Sequence, residues 1–133
     1  MNNNVNSKLT IPNLVKESVE KYADKNSLVF VGDKEYTYRD FGVDIEKVAS
    51  LLLVLGIEKG DKVAILSTNM PNWGVSFFAI SVLGAVAVPI LPDFHENEIK
   101  TIIEHSEAKI IFVSAGLFGN LNAEIQQLVE HII

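Results

Sequence analysis

Three histidines, His95, His105 and His131, are the side chains of this sequence best suited to binding a metal ion. They fall on different predicted helices or helix caps, and none has a different type of metal ligand four residues away on the same helix. His95 opens the acidic run 95–98, but acidic residues in the first turn of a helix are favoured by the helix dipole. We therefore predict a helix cap at His95 and no metal site.

Two hydroxyl- or glycine-containing segments are candidates for binding a ligand. Residues 114–119 follow a predicted strand and precede a predicted helix, so their backbone amides could hold a phosphate. They lack the Lys and Ser/Thr of a phosphate-binding loop, which favours an ordinary strand-to-helix turn. Ser67, Thr68 and Asn69 precede a helix started by proline, where such residues are common as caps and turns. Neither segment has an identifiable base or oxyanion partner.

An aromatic cluster, Trp73, Phe77 and Phe78, lies at helical spacing. It could line a pocket for an acyl chain, but this spacing is more typical of core packing. The charged residues Asp44, Glu46 and Lys47 are interpreted as solvated surface. The residue types and spacings contain no paired carboxylate, catalytic triad or metal cluster, and by themselves they predict a fold and no reaction.

The composition limits the class of protein. A chain of 133 residues with 48% apolar residues suits one compact domain with a real core. The net charge of −6 and the scattered basic residues argue against a nucleic-acid partner. The absence of cysteine excludes disulfides and is compatible with a cytoplasmic location. We predict no transmembrane segment, because the apolar stretch Trp73–Leu91 is interrupted by serine, glycine and proline and is expected to form a buried helix and a buried strand.

The first part of the chain is expected to contain a tail, a helix, a hairpin and a second helix. Residues 1–8 resemble a disordered tail, and 9–133 are predicted to form one subdomain. Turn chemistry at Gly32-Asp33 predicts a β-hairpin. The predicted bounds are Thr10 to about Ala23 for the first helix, Leu28–Val31 and Glu35–Tyr38 for the hairpin, and a helix from the Thr37/Asp40 capping box to Gly56.

Strands and helices then alternate, which predicts an α/β fold with a mainly parallel sheet covered by helices. The expected elements are a strand at Lys62–Ser67, a helix at Asn72–Leu83 opened by Pro71, a strand at Ala85–Leu91, a helix capped by Asp93 or His95 that carries Ile99, Ile102 and Ile103, a strand at Lys109–Val113, and a last helix with Leu121, Ile125, Leu128, Val129 and Ile132. Ligands bind such sheets beyond the carboxyl ends of the strands, at residues 67–69, 91–93 and 114–116 here.

Five stretches of the sequence, in order, resemble the acyl-CoA synthetases of the adenylate-forming, or AMP-binding, superfamily. Thr37-Tyr38-Arg39-Asp40-Phe41 is similar to the entry to that family's first long helix, and residues 98–109 are similar to a run whose His-Ser-Glu form resembles the long-chain fatty acid branch. The other three are Leu55-Gly56-Ile57-Glu58-Lys59-Gly60-Asp61-Lys62-Val63-Ala64-Ile65, Asn69-Met70-Pro71-Asn72-Trp73 and Gly84-Ala85-Val86-Ala87-Val88-Pro89-Ile90.

The resemblance implies an enzyme that uses ATP and Mg²⁺ to convert a small-molecule carboxylate to an acyl-adenylate and then transfers the acyl group to CoA. It covers residues 9–113 and implies part of a longer amino-terminal domain, with the rest of the enzyme as a partner in cis. It also implies that Leu91, Pro92 and Asp93 approach the CoA nucleotide, although the glycines often found there are missing.

The family's Ser/Thr/Gly-rich phosphate loop ending in Pro-Lys-Gly, its adenine and ribose segments and its carboxyl-terminal lysine have no counterpart in the 133 residues. We therefore expect this chain alone to be inactive and, with faces left uncovered, to dimerise. The alternatives are a stand-alone α/β binding or interaction module, favoured by a stop codon directly after Ile133, and an amino-acid-activating or other adenylating enzyme.

Overall fold

The computed structural model describes residues 9–28, 32 and 35–133. Within them, four parallel strands form one sheet in the order β2-β1-β3-β4. The strands are β1 (Lys62–Leu66), β2 (Val86–Ile90), β3 (Ile110–Val113) and β4 (His131–Ile132). The predicted α/β fold with a mainly parallel sheet is thereby confirmed.

Helices cover both faces of this sheet. They are α1 (Ile11–Lys21), α2 (Tyr38–Val54), α3 (Pro71–Val82), α4 (Glu96–Ser106) and α5 (Ala123–Gln127), with a 3-10 helix at Ala115–Asn120. The helices α2 and α3 pack on one face and α4 and α5 on the other, while α1 packs on the outer side of α2 and α3. The result is a layered domain with a core on each side of the sheet.

The helix starts follow from their capping residues. The Thr10 hydroxyl accepts a hydrogen bond from the Asn13 amide at 3.4 Å and begins α1. At α2 the Asp40 amide donates to the Thr37 hydroxyl at 3.2 Å, and the Asp40 carboxylate accepts from the Thr37 amide at 3.0 Å. This reciprocal pair is the predicted capping box, and it satisfies two backbone amides that have no partner inside the helix. Gly56, with φ of 83°, follows the end of α2 as predicted.

The strand β1 lies inside the sheet and is buried on both faces, as its uninterrupted apolar run Val63–Leu66 predicts. Val63 and Ile65 face α2 and α3, whereas Ala64 and Leu66 face α4 and α5. The prediction of a buried strand at β2 is wrong for most of its length. Within the described residues this strand pairs with β1 alone and so forms an edge of the sheet, and Val86 is 47% exposed whereas Ile90 is buried. An apolar run cannot indicate which strand will acquire neighbours on both sides.

The predicted last helix is also wrong in its extent. Its expected core residues Leu121 and Ile125 are buried, but Asn122 caps α5 by accepting from the Ile125 amide at 3.0 Å, and α5 ends at Gln127. Beyond it the backbone pairs with β3 as strand β4, with the Ile133 amide donating to the Ile111 carbonyl at 2.9 Å. The edge of β3 offers backbone groups that a continued helix would have left without strand partners.

The first predicted strand and the turn of the hairpin lie largely outside the described residues. The second predicted strand, Glu35–Tyr38, lies within them and is wrong, since no strand forms there and Tyr38 begins α2. On the described flanks of the hairpin, Asn26 and Thr37 form an isolated antiparallel bridge, and the Ser27 amide donates to the Tyr36 carbonyl at 2.8 Å. The predicted tail at residues 1–8 also lies outside the described part. None of the described helices has the length and apolarity needed to cross a bilayer.

Candidate functional site

A crevice opens at the carboxyl ends of β1 and β3. From β1 the chain passes to β2 on one side and then crosses to β3 on the other, which makes this the topological switch point of the sheet. The crevice has a volume of about 380 Å³ and lies between these strand ends, the middle of α2 and the amino-terminal part of α3. Its position and volume are typical of small-molecule sites in open α/β sheets.

The structure brings together two of the three segments predicted at the strand ends. Ser67 and Ser114 both line the crevice, whereas residues 91–93 are not among its lining residues. The apolar lining is Val48, Ile65, Met70, Trp73, Val75, Phe112, Val113 and Ile133, and the polar lining is Asp44, Lys47, Ser67, Asn72, Ser76 and Ser114. The crevice is therefore an apolar pocket with a few polar groups.

The aromatic cluster is divided between this crevice and the core. Trp73 lines the crevice and stacks on Phe77, with ring centroids 5.3 Å apart and an interplanar angle of 8°. Phe77 meets Phe78 edge to face at 5.4 Å, and Phe78 meets Phe41 in the same way at 5.6 Å. Only Trp73 of the predicted cluster reaches the crevice, and the other two rings pack in the core, where offset and edge-to-face contacts stabilise them.

An ion pair forms part of the crevice wall. Lys47 donates to Asp44 Oδ1 at 3.0 Å, and the Tyr36 hydroxyl donates to Asp44 Oδ2 at 2.8 Å. Burial of Tyr36 and its hydrogen bond to Asp44 raise the pKa of the phenol above its usual range. The sequence predicted Asp44 and Lys47 as solvated surface, and their side chains are 41% and 70% exposed. No local pattern indicated that they also line the crevice at the ends of β1 and β3.

Serine hydroxyls supply the remaining polar groups. The Ser67 hydroxyl donates to the Thr68 carbonyl at 3.0 Å. Ser76 is only 8% exposed, and no hydrogen bond joins its hydroxyl to a described residue; the same is true of the half-buried Ser114. Sequence reasoning missed Ser76. The sequence feature that could have indicated it is a serine inside a helix that is otherwise nearly apolar on every side.

The other predicted site residues lie elsewhere. Leu91, Pro92 and Asp93 follow β2 at the edge of the sheet, and the Phe94 amide closes a turn onto the Leu91 carbonyl at 3.1 Å. The His95 amide donates to the Glu98 carboxylate at 2.9 Å, which confirms the predicted cap of α4.

The three histidines lie in separate places, at the cap of α4, in its last turn and in β4. Among the described residues, no group of three or more His, Cys, Asp or Glu is placed to hold a metal ion. A zinc site needs at least three such ligands in one place.

The residues of the motifs that resemble the family stabilise the opposite end of the sheet, where the strands begin. The Asp61 carboxylate accepts from the Lys109 ammonium at 2.8 Å and from the Glu58 amide at 2.8 Å. The hydrogen bond from Lys109 and then that from the Glu58 amide lower the pKa of Asp61. Gly60 and Gly84 have φ of 91° and 70°, which glycine adopts at little cost. These motifs join β1, β2 and β3 at their amino-terminal ends.

Known proteins share both the sequence pattern and the fold. The model of the AMP-binding enzyme family matches residues 15–132. The chain is 32% identical over 122 residues to the 4-hydroxybutyrate–CoA ligase 2 of Metallosphaera sedula, and 27% identical over 125 residues to the long-chain-fatty-acid–CoA ligase of Bacillus subtilis. The crystal structure of the N-terminal domain of FACL13 from Mycobacterium tuberculosis superimposes with a TM-score of 0.83 at 27% identity.

The matches cover nearly all of this chain but a small part of the relatives. The match covers 92% of this chain for the Metallosphaera sedula ligase, 93% for the Bacillus subtilis ligase and 93% for the FACL13 domain. The chain spans only 22% of the length of each ligase and 33% of the FACL13 domain. The matched region therefore corresponds to one part of an AMP-binding enzyme.

Proposed function

Because the chain belongs to the AMP-binding enzyme family, we propose that it is the amino-terminal part of an ATP-dependent CoA ligase that activates a carboxylate through an acyl-adenylate. The observation that carries the proposal is the family match over residues 15–132, together with CoA ligases as relatives. A long-chain fatty acid is the proposed substrate, supported by the Bacillus subtilis relative and by the His105-Ser106-Glu107 run.

We propose that the reaction centre of such an enzyme lies outside the described residues. Adenylation builds up negative charge on a phosphoryl group, which Mg²⁺ and cationic side chains must stabilise. The phosphate loop, the adenine and ribose segments and the carboxyl-terminal lysine of the family have no counterpart in the 133 residues. We propose that this part is scaffold and one wall of the cleft, that ATP and Mg²⁺ are bound by polypeptide outside it, and that the 133 residues alone are inactive.

The proposed contact with CoA is at residues 91–93. Leu91 and Asp93 are exposed at the carboxyl end of the edge strand β2, and Pro92 between them is half-buried. An exposed turn at the end of a parallel strand is accessible to a ligand or to a second domain. Replacing Asp93 with lysine in the complete enzyme should change the KM for CoA and leave the formation of the acyl-adenylate unchanged.

The proposal is tested with the complete protein that the gene encodes. It is supplied with ATP, Mg²⁺, CoA and a panel of fatty acids and shorter carboxylates, and the release of pyrophosphate is measured. We expect pyrophosphate release that depends on the carboxylate and is greatest with long chains. The control is the 133-residue chain under the same conditions, for which no release is expected.

Two outcomes would contradict the proposal. The absence of adenylation with every carboxylate would refute the ligase, and adenylation of amino acids without transfer to CoA would assign the chain to another branch of the family. A gene that ends directly after Ile133 would favour a stand-alone binding module, since the chemistry would then have no residues to perform it.

A further inference from the structure

We propose that the crevice between the ends of β1 and β3 is a binding site for a small, uncharged ring compound whose polar edge hydrogen-bonds to Ser76. This inference does not rest on the proposed ligase function. Three features carry it: a hydroxyl that opens onto the crevice, a flat aromatic wall and an ion pair whose charges are already matched.

The hydroxyl of Ser76 is the polar anchor. Ser76 lies in the second turn of α3 and is 8% exposed, so it is withdrawn from bulk solvent. In the described part of the chain, every fully buried side-chain nitrogen or oxygen has a hydrogen-bond partner, and Ser76 has none. The hydroxyl must therefore reach open space, and the space that Ser76 lines is the crevice. A ligand with a polar group in the crevice can hydrogen-bond to this accessible hydroxyl in place of water.

The walls of the crevice suit a ring. Trp73 is held in place by its stacking on Phe77, and Ile65, Val75 and Phe112 add aliphatic and aromatic surface. The volume of about 380 Å³ is at the lower end of the range for ligand pockets. A single ring with a short polar substituent therefore matches the space better than a long chain does.

The charges of the crevice favour an uncharged ligand. Asp44 and Lys47 are paired at 3.0 Å, and the second oxygen of Asp44 accepts from the Tyr36 hydroxyl. The Lys47 and Asp44 side chains are 70% and 41% exposed, so water screens this pair, and each of its charges already has its opposite beside it. An anion or a cation entering the crevice would be desolvated without gaining an unpaired opposite charge.

The test uses the 133-residue chain and three probes with the same ring: benzamide, toluene and benzoate. Trp73 is the only tryptophan, so its indole N–H resonance reports directly on the crevice in two-dimensional NMR. We expect saturable shifts of this resonance, with benzamide binding more tightly than either toluene or benzoate.

Two serine variants provide the contrast. Ser76→Ala should weaken benzamide binding about two- to tenfold, the value of one net hydrogen bond, and leave toluene binding unchanged. The matched control is Ser81→Ala on the same helix, because the Ser81 hydroxyl already donates to the Phe77 carbonyl at 2.8 Å and lies outside the crevice lining. This control should bind all three probes as the parent chain does.

Several results would overturn the proposal. They are the absence of a saturable shift at Trp73 with benzamide, equal weakening by Ser76→Ala and Ser81→Ala, and binding of benzoate in preference to benzamide. A further contrary result would be a dimer, detected by light scattering on the same samples, in which a second copy of the chain occupies the crevice and benzamide does not bind. If Ser76→Ala failed to fold, Ser114→Ala would be used, since its hydroxyl also lines the crevice and has no described partner.

Discussion

The packing of α2 can be tested with two adjacent leucines. Leu52 is 0% exposed and packs in the core between α2, α3 and the sheet, whereas Leu53 is 57% exposed. Truncating a fully buried leucine to alanine removes transfer free energy and leaves a cavity, which together cost about 2–5 kcal/mol. The same truncation at Leu53 should cost less than about 1 kcal/mol, since much of that side chain is already in water. Both variants gain the same helix propensity, so the difference between them reports burial alone.

The assay is urea unfolding of the 133-residue chain, followed by circular dichroism. A loss of 3 kcal/mol lowers the folding equilibrium constant roughly a hundredfold, and it moves the urea midpoint by on the order of 1–2 M at an unchanged slope. Leu53→Ala should leave the midpoint close to that of the parent chain. Equal losses for the two variants, or a larger loss for Leu53→Ala, would refute the packing of α2 on the sheet through its Leu52 face.

Three further predictions concern the Asp61–Lys109 ion pair, Gly84 and self-association. The lowered pKa of Asp61, caused first by its hydrogen bond with Lys109, gives a stabilisation that is complete above the ordinary carboxyl pKa and is lost as the pH falls through the lowered value. In Asp61→Asn the free energy of unfolding, measured by urea melts at several pH values, should therefore fall less steeply at acid pH than in the parent chain. An unchanged dependence on acid pH would contradict the pairing. Gly84→Ala should destabilise the chain by about 1–2 kcal/mol, because Gly84 has φ of 70° and an added Cβ would lie 3.1 Å from a lysine side chain. Gly116→Ala, where an added Cβ meets nothing within 4 Å, is the control, and equal thermal shifts for the two would refute the argument. Val54 is 84% exposed on α2, so light scattering should detect dimers of the parent chain and fewer of Val54→Glu; a monomer at high concentration would exclude this self-association.

Short-range patterns in the sequence predicted most of the elements. The Thr37/Asp40 capping box and Gly56 bound α2 because capping depends on residues within four positions of each other. The run at Val63–Leu66 predicted burial on two faces, and β1 is the central strand. The predicted caps at Thr10 and His95 were likewise confirmed by hydrogen bonds within their own first turns.

Predictions failed where the answer depended on distant strands. The apolar run at Val86–Ile90 does not encode that β2 has one neighbour, and the helical spacing of Leu121 and Ile125 continues past the point where β3 recruits the chain as β4. Both outcomes follow from backbone pairing with residues far away in the sequence, which no local periodicity reports.

The candidate site was predicted in outline only. The rule that ligands bind beyond strand ends indicated Ser67 and Ser114 but also residues 91–93, and only the strand order β2-β1-β3-β4 separates the first two from the third. Ser76 and Asp44 joined the site because helices α2 and α3 pack across β1 and β3.

By itself, the sequence determined the fold class and the family, because the motifs that carry the resemblance are caps, turns and strand starts whose geometry is local. Asp61 and Gly84 are examples, since one accepts from an amide three residues earlier and the other supplies a positive φ. The tertiary structure alone decided which strand is central, where the crevice opens and which hydroxyls line it. These properties depend on which distant residues become neighbours, and packing and backbone pairing settle them only when the whole domain folds.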